Sequence, residues 1–374
     1  MVKFSTTFIV KSDILNDNRI LNQAKSLSEA GINVNLIAVY ESNLPDNYCI
    51  SFKHVKRFSL IFRTIGFPKY LQALEFNVRA LFHFMFNKTT HVHCHDLTAL
   101  PSGFWIKRLL PSIVLVYDAH EYETELNGLS GFRKKIYKWL EQKLIFRVDR
   151  FITVSESIAQ AYKQLYQISN PVIIHNCPYR YHSEQKHDLL REEFSISKQS
   201  KIFLYQGILA EGRGVREMLE VFSGFTGSDY VLVLMGFGPM TSFVQSFSKE
   251  HRNVFYKQAM PAPHFLNYTS SADFGISFIE DISLSDRFCL PNKLFEYINA
   301  GIPVIVSDLP EMKKFVTAYK VGAVAATGSS RDLINAIHEI AHMSYPALLE
   351  NVRSAANIFC WEEESKKLLH IYNA

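Results

Sequence analysis

The chain has 374 residues, 48% of them hydrophobic, enough to bury two ordinary cores, and its formal charge of +4 is too mild to argue for nucleic acid as a partner. Cys49, Cys94, Cys177, Cys289 and Cys360 are scattered and odd in number, which argues against a disulfide framework and for free thiols in a reducing compartment. The first ten residues, MVKFSTTFIV, hold no signal-peptide core, and no apolar run reaches the ~18 residues of a spanning helix, so a cytoplasmic protein is expected.

Residues 3–10 read as a short apolar strand. A helix follows over 13–30, with Ile20, Leu21, Ala24, Leu27 and Ala30 at helical spacing and Gly31 as its stop. A strand over 34–39 completes a βαβ unit, the first turn of a doubly wound domain. The connecting turn, 11–17, holds no G-x-G-x-x-G fingerprint, which argues against a dinucleotide there. Further strands are expected at 91–94, 113–117 and 151–154. Residues 170–200 turn polar and irregular, with Pro171 and Pro178, and hold the interdomain linker. A second series of strands follows at 202–205, 231–235, 254–256, 274–277, 304–307 and 322–325. The fold class is therefore α/β, with two Rossmann-like doubly wound parallel-sheet domains over 1–180 and 190–356.

The most informative stretch is 290–310, LPNKLFEYINAGIPVIVSDLP. It reads as a helix capped by Asn292 and stopped at Gly301, followed by a buried strand. Lys293 falls in the first turn, where a cation opposes the helix dipole unless an anion occupies that helix end. Glu296, at i+3, shares its face and suits the vicinal hydroxyls of a sugar, which donate to both carboxylate oxygens. Cation, amide donors and carboxylate together point to phosphate plus ribose.

This segment resembles the nucleotide-binding helix of family 4 glycosyltransferases, in the variant that carries PNKLFEY before an A-G-x-P-V-I strand. The resemblance implies a GT-B fold, with the two domains facing a central cleft and a last helix, about 357–374, packing back on the first. It also implies that Glu296 holds the nucleotide ribose. The family's other glutamate, seven residues earlier, falls on Phe288, so the donor-sugar region here comprises Phe288, Pro291 and Asn292.

Residues 205–214, YQGILAEGRG, form a strand that breaks into a glycine-rich turn before a helix over 215–222. Gly207, Gly212 and Gly214 let backbone amides approach an anion, and Arg213 offers a forked charge, although ordinary turn chemistry accounts equally for such a loop. The loop resembles the family's G-R-L-x-x-x-K-G, in which Arg and Lys grip the diphosphate. Arg213 takes the Lys position and Ile208 the Arg position, so Lys293 is expected to supply the second charge. The diphosphate set is then Gly207, Arg213, Gly214 and Lys293. For Met235-Gly236-Phe237-Gly238-Pro239, turn chemistry is preferred to nucleotide contact.

In the first half, Tyr117-Asp118-Ala119-His120-Glu121 ends a buried strand, where open α/β sheets place ligands. A His-Glu pair alone is more often a surface turn. The similarity of YDxHE to the family's sugar-cleft motif makes His120 and Glu121 the catalytic candidates, with His120 at the donor sugar. Residues 91–96, HVHCHD, invite a zinc site, but alternation puts His91, His93 and His95 on one face and Cys94 on the other, with no second cluster nearby, so no metal is expected. The stretch resembles the family's H-x-H-D, which makes His95 and Asp96 candidates for the acceptor cleft.

Residues 132–145 and 53–88 interleave Lys and Arg with large apolar side chains. Either they are solvated helix faces whose stripe (Ile136, Trp139, Leu140 and Lys143 in the first) packs on the sheet, or they attach the protein to an anionic membrane surface.

The expected function is transfer of a sugar from a nucleotide-sugar donor, UDP- or GDP-linked, to a glycan or lipid-linked acceptor. Retention at the anomeric carbon, independence of metal and cofactor, and a place in surface polysaccharide synthesis are what the resemblance implies. The alternatives are a nucleotide-sugar epimerase on the same scaffold, and a non-catalytic protein whose donor site has decayed through Ile208 and Phe288. The base and sugar are set by loops such as 258–263 and 277–288, whose shape is not readable from sequence.

Overall fold

The computed structural model describes residues 4–14, 17–40, 54–181, 188–225, 227, 229–260, 264–326 and 329–373. Cys49, residues 15–16 of the first turn, Lys53, residues 182–187 of the linker and residues 261–263 of a base-specificity loop lie outside them. The chain divides into two compact units, Met1–Ile174 with Ser365–Ala374, and His175–Glu364.

The first unit is built on seven parallel strands, β1 (Ser5–Val10), β2 (Asn33–Val39), β3 (His54–Phe58), β4 (His91–His95), β5 (Val114–Ala119), β6 (Arg150–Thr153) and β7 (Val172–Ile173). Their order is β3-β2-β1-β4-β5-β6-β7. The second has six, β8 (Lys201–Ile208), β9 (Tyr230–Phe237), β10 (Val254–Gln258), β11 (Phe274–Ser277), β12 (Val304–Ser307) and β13 (Gly322–Ala325), in the order β10-β9-β8-β11-β12-β13. In both, the winding reverses beside the first strand, between β1 and β4 and between β8 and β11. Open α/β sheets bind ligands outside the carboxyl ends of the strands at such a reversal.

Strands buried on both faces read as continuous apolar runs, because alternate residues feed two separate layers. In the second unit Phe203, Leu232, Phe274 and Ile305 pack into one core and Leu204, Val233, Val304 and Val306 into the other. Burying one such side chain stabilises the fold by about 1.5–3 kcal/mol.

The expected strands at 274–277, 304–307 and 322–325 coincide with β11, β12 and β13. Two edge strands carried no signal, β3 because HVKRF alternates charge and β7 because it is two residues long. The first helix is Asn18–Glu29 rather than 13–30, since the Asp17 carboxylate accepts from the Ile20 amide at 3.2 Å and caps it there. The helix Asn292–Asn299 is preceded by Pro291, extended at φ −74°, and not capped by Asn292, which is its first helical residue and exposed. It ends as expected at Gly301, φ 82°, where the amides of Gly301 and Ile302 reach back to the Ile298 and Tyr297 carbonyls.

The helix Gly131–Leu144 decides between the two readings left open for its stripe, which it does not bury. Its buried residues are Glu141 and Leu144, whereas Ile136 and Trp139 are exposed. The carboxylate goes inside because three tyrosines solvate it: Tyr117, Tyr162 and Tyr166 donate to it at 2.8, 2.6 and 2.9 Å. Lys134 and Lys138 both pair with Glu125. Among the described residues no helix is long and apolar enough to cross a membrane, and Cys94, Cys177, Cys289 and Cys360 are free thiols.

Candidate active site

In the second unit the glycine-rich turn leaves β8 at the reversal beside β11. Gly207, at φ 128°, and Gly214, at φ 65°, adopt backbone that favours glycine. A Cβ on Gly214 would run into the Phe278 ring, and one on Gly207 would come 3.3 Å from the Lys293 Nζ. Lys293 thus lies against the bare backbone of Gly207, with its ammonium 3.8 Å from the centroid of the Tyr205 ring. It is half-buried and makes no ion pair among the described residues.

Burial and the neighbouring Arg213 guanidinium pull the Lys293 ammonium down to about 7, against the opposing pull of Glu296. Arg213 is tethered at 3.4 Å to Asp286, which Ser283 Oγ also holds at 2.7 Å. Two cations therefore share the mouth of one glycine turn, Arg213 paired with Asp286 and Lys293 with no ion pair among the described residues. An arriving anion removes their mutual repulsion.

Glu296 lies one turn along from Lys293. Its Oε2 accepts from the Gln206 amide, whose own Oε1 accepts from Thr269 Oγ1 at 2.7 Å. That relay fixes which end of the Gln206 amide is the donor and leaves Glu296 Oε1 for a ligand. Burial raises the Glu296 carboxyl, while Gln206 and Lys293 lower it. Phe288 is half-buried just after the helix Leu284–Arg287, Pro291 is half-buried, and Asn292 is exposed. The Met235–Pro239 turn serves close packing, because a Cβ on Gly236 or Gly238 would meet the backbone of Gly207 or Leu209.

In the first unit, the carboxyl ends of β4 and β5 bring His95, Asp96, Asp118 and His120 together. Asp118 is fully buried and accepts from Arg19 Nη2 at 2.7 Å, Arg19 Nε at 3.0 Å and Gln23 Nε2 at 2.7 Å. His95 Nδ1 and His120 Nε2 are 3.1 Å apart. His120 Nδ1 lies 3.6 Å from Asp96 Oδ1, and its backbone amide donates to that oxygen at 3.2 Å. Burial lowers the His120 imidazole, but Asp96 and Asp118 outweigh it and raise it to about 9. His95 is held well below its ordinary value by burial and by His93 and His120. Glu121 is exposed at the rim, whereas Glu123 is buried and accepts from the Leu97 amide at 3.3 Å.

His91, His93 and His95 do share one face of β4, and His93 stacks on His95 with centroids 4.4 Å apart. His93, His95 and Asp118 offer ligand atoms within 4.8 Å of one another, the composition of a metal site. The Asp118 oxygens already serve three donors, however, and the Arg19 guanidinium on the same carboxylate opposes a dication. Sequence reasoning missed Arg19, Gln23 and Asp286, which carry no local motif, and gave no role to Gln206, which lies within the 205–214 turn. Only the register of His95 opposite Asp118 could have pointed to the cluster.

Residues 17–177 match the model of Glycosyltransferase Family 4, and residues 226–360 match that of the Glucosyltransferase 3-like, C-terminal domain. No curated protein matches the chain by sequence. Among solved structures, a sucrose-phosphate synthase from Thermosynechococcus elongatus is 16% identical over 99% of this chain and 98% of its own, with a TM-score of 0.80. HepE of Anabaena in complex with UDP is 12% identical over 99% of both chains, with a TM-score of 0.77. WaaG, a glycosyltransferase involved in lipopolysaccharide biosynthesis, is 15% identical over 99% of this chain and 100% of its own, with a TM-score of 0.71. The first unit thus matches Glycosyltransferase Family 4, the second the Glucosyltransferase 3-like C-terminal domain, and the chain has the two-domain GT-B fold of glycosyltransferases.

Proposed function

We propose that the chain transfers a hexose from a nucleotide sugar, UDP- or GDP-linked, to a glycan or lipid-linked acceptor, with retention at the anomeric carbon, in surface polysaccharide or lipid-linked glycan synthesis. The observation that carries this is that Lys293 and Arg213 come together at the glycine turn, with Glu296 one helical turn along from Lys293. Those cations and the amides of 207 and 214 meet the charge that develops on the departing diphosphate, so no divalent metal is required. His120, as an imidazolium at the end of β5, donates to the donor sugar, with Glu121 beside it and His95 and Asp96 toward the acceptor. HepE, which shares the fold, has been crystallised with UDP and with UDP-glucose, which favours UDP as the first nucleotide to try.

The protein works at the cytoplasmic face of an anionic membrane. The helix Lys69–Phe86 exposes Tyr70, Leu74, Val78, Phe82 and Phe86, one every four residues, with Phe86 85% exposed. Trp105 and Trp139 stand exposed on neighbouring helices beside Arg108, Arg133 and Lys135. Exposed apolar side chains, with exposed basic residues on the helices that carry Trp105 and Trp139, fit a lipid surface with negative head groups.

The test is a thermal-shift series with UDP, GDP, ADP and dTDP, with and without magnesium, on the wild type and Glu296→Ala. A rise with one nucleotide, without metal and lost in Glu296→Ala, supports the donor site. No rise with any of them favours a decayed scaffold, and turnover of a nucleotide sugar without an acceptor favours an epimerase.

A further inference from the structure

We propose that Arg19 is a positioning residue for the transfer reaction, because it locks the Asp118 carboxylate and Asp118 in turn aims the His120 imidazole. The inference rests on the assignment of His120 to the donor sugar.

Arg19 is 1% exposed and its guanidinium donates from all three nitrogens, Nε and Nη2 to Asp118 and Nη1 to the Ile174 carbonyl at 2.8 Å. With Gln23 added, both Asp118 oxygens are engaged and the carboxylate cannot rotate. Its Oδ2 then faces three imidazoles, His93 Nε2 at 3.8 Å, His95 Nδ1 at 3.7 Å and His120 Nε2 at 3.6 Å. His93 is held from behind, where its Nδ1 shares a 2.9 Å hydrogen bond with the Tyr372 hydroxyl. Only His120 of the three reaches solvent, at 17% side-chain exposure.

A desolvated ion pair is weak support for stability, since two apolar side chains of the same volume serve as well or better. What the pair does supply is direction. A carboxylate gripped from below fixes one charged oxygen 3.6 Å from His120 Nε2, beside that nitrogen's 3.1 Å hydrogen bond with His95 Nδ1, while Asp96 Oδ1 lies 3.6 Å from Nδ1 and accepts from the backbone amide of the same residue. The charged and titratable groups around His120 are Asp96, His93 and His95 from β4 and its turn, Asp118 from β5, Arg19 from the first helix, and Glu121 and Glu123 from its own loop. In this set Asp118 favours the imidazolium and Arg19 disfavours it.

That opposition makes the test sharp. In the full-length protein with labelled histidine, the His120 ring nitrogens are titrated by NMR in the wild type, Asp118→Asn, Arg19→Gln and the double variant. Asp118→Asn is expected to lower the His120 midpoint by about 1–2 units, and Arg19→Gln to raise it, with the double variant between them. A residue that merely props up the fold would shift both single variants the same way or neither, and either result overturns the proposal. If Asp118→Asn does not fold, the wild type still decides: a neutral His120 at pH 7 overturns it. On the transfer side, each single variant is expected to lose at least about tenfold in kcat with donor KM unchanged, and Arg19→Lys to recover part of it. If no nucleotide sugar is turned over by the wild type, the functional assignment fails, while the histidine titration still tests the ion pair's hold on His120.

Discussion

The Lys293 ammonium lies over the face of the Tyr205 ring, 3.8 Å from its centroid, and against a glycine that offers it no side chain. The ring faces it with negative potential, but a ring does not replace a counter-ion. With the Arg213 guanidinium also lowering its proton affinity, Lys293 is a charge held ready at a helix end.

Lys293→Ala is expected to weaken nucleoside diphosphate binding about 10–100-fold, the worth of one charge-assisted contact. Isothermal titration calorimetry measures it, and unchanged affinity removes Lys293 from the site. The protein's own stability should change little or rise, because the substitution relieves cation repulsion.

Affinity should also depend on pH. Lys293 is near 7 in the free protein, and a diphosphate favours its charged form. Binding is therefore tightest below about 7 and weakens by up to about tenfold per unit above it, with proton uptake near neutrality visible as a buffer-dependent binding enthalpy. For folding the sign is opposite. The native value, about 7, lies below the ordinary 10.5, so between these the unfolded chain binds a proton that the native chain does not. The contribution of this group to stability rises with pH through that window.

Gly214→Ala should destabilise the second unit. At φ 65° a side chain is strained, and the new Cβ would run into Phe278. A cost of about 2–3 kcal/mol, lowering Tm by about 5–10 °C, is expected. Gly224→Ala is the control: it lies in the helix Val215–Gly224 with no atom near its Cβ, so Tm should hold or rise.

Co-sedimentation with vesicles of phosphatidylserine and phosphatidylcholine checks the exposed face. Phe82→Ser with Phe86→Ser should reduce binding at all salt concentrations. Arg133→Glu with Lys135→Glu should abolish it at low salt, where head-group attraction is strongest. Equal binding to neutral vesicles would count against an electrostatic membrane contact.

What the sequence determined by itself was local. The alternation of apolar strands and helices specified two parallel-sheet units because the central strands are buried on both faces. Lys293 and Glu296 were legible because three residues is one helical turn. The pairings of Glu296 with Gln206, 90 residues away, and of Arg213 with Asp286, 73 residues away, were not legible. The same holds for Arg19, 99 residues from Asp118, and for Tyr372, 366 residues from Thr6. The exposure of Ile136 and Trp139 was also undecided, because a stripe of apolar side chains reads the same whether it meets a sheet or solvent. Only the tertiary structure decides these, since strand order and register, and not chain distance, choose which side chains meet.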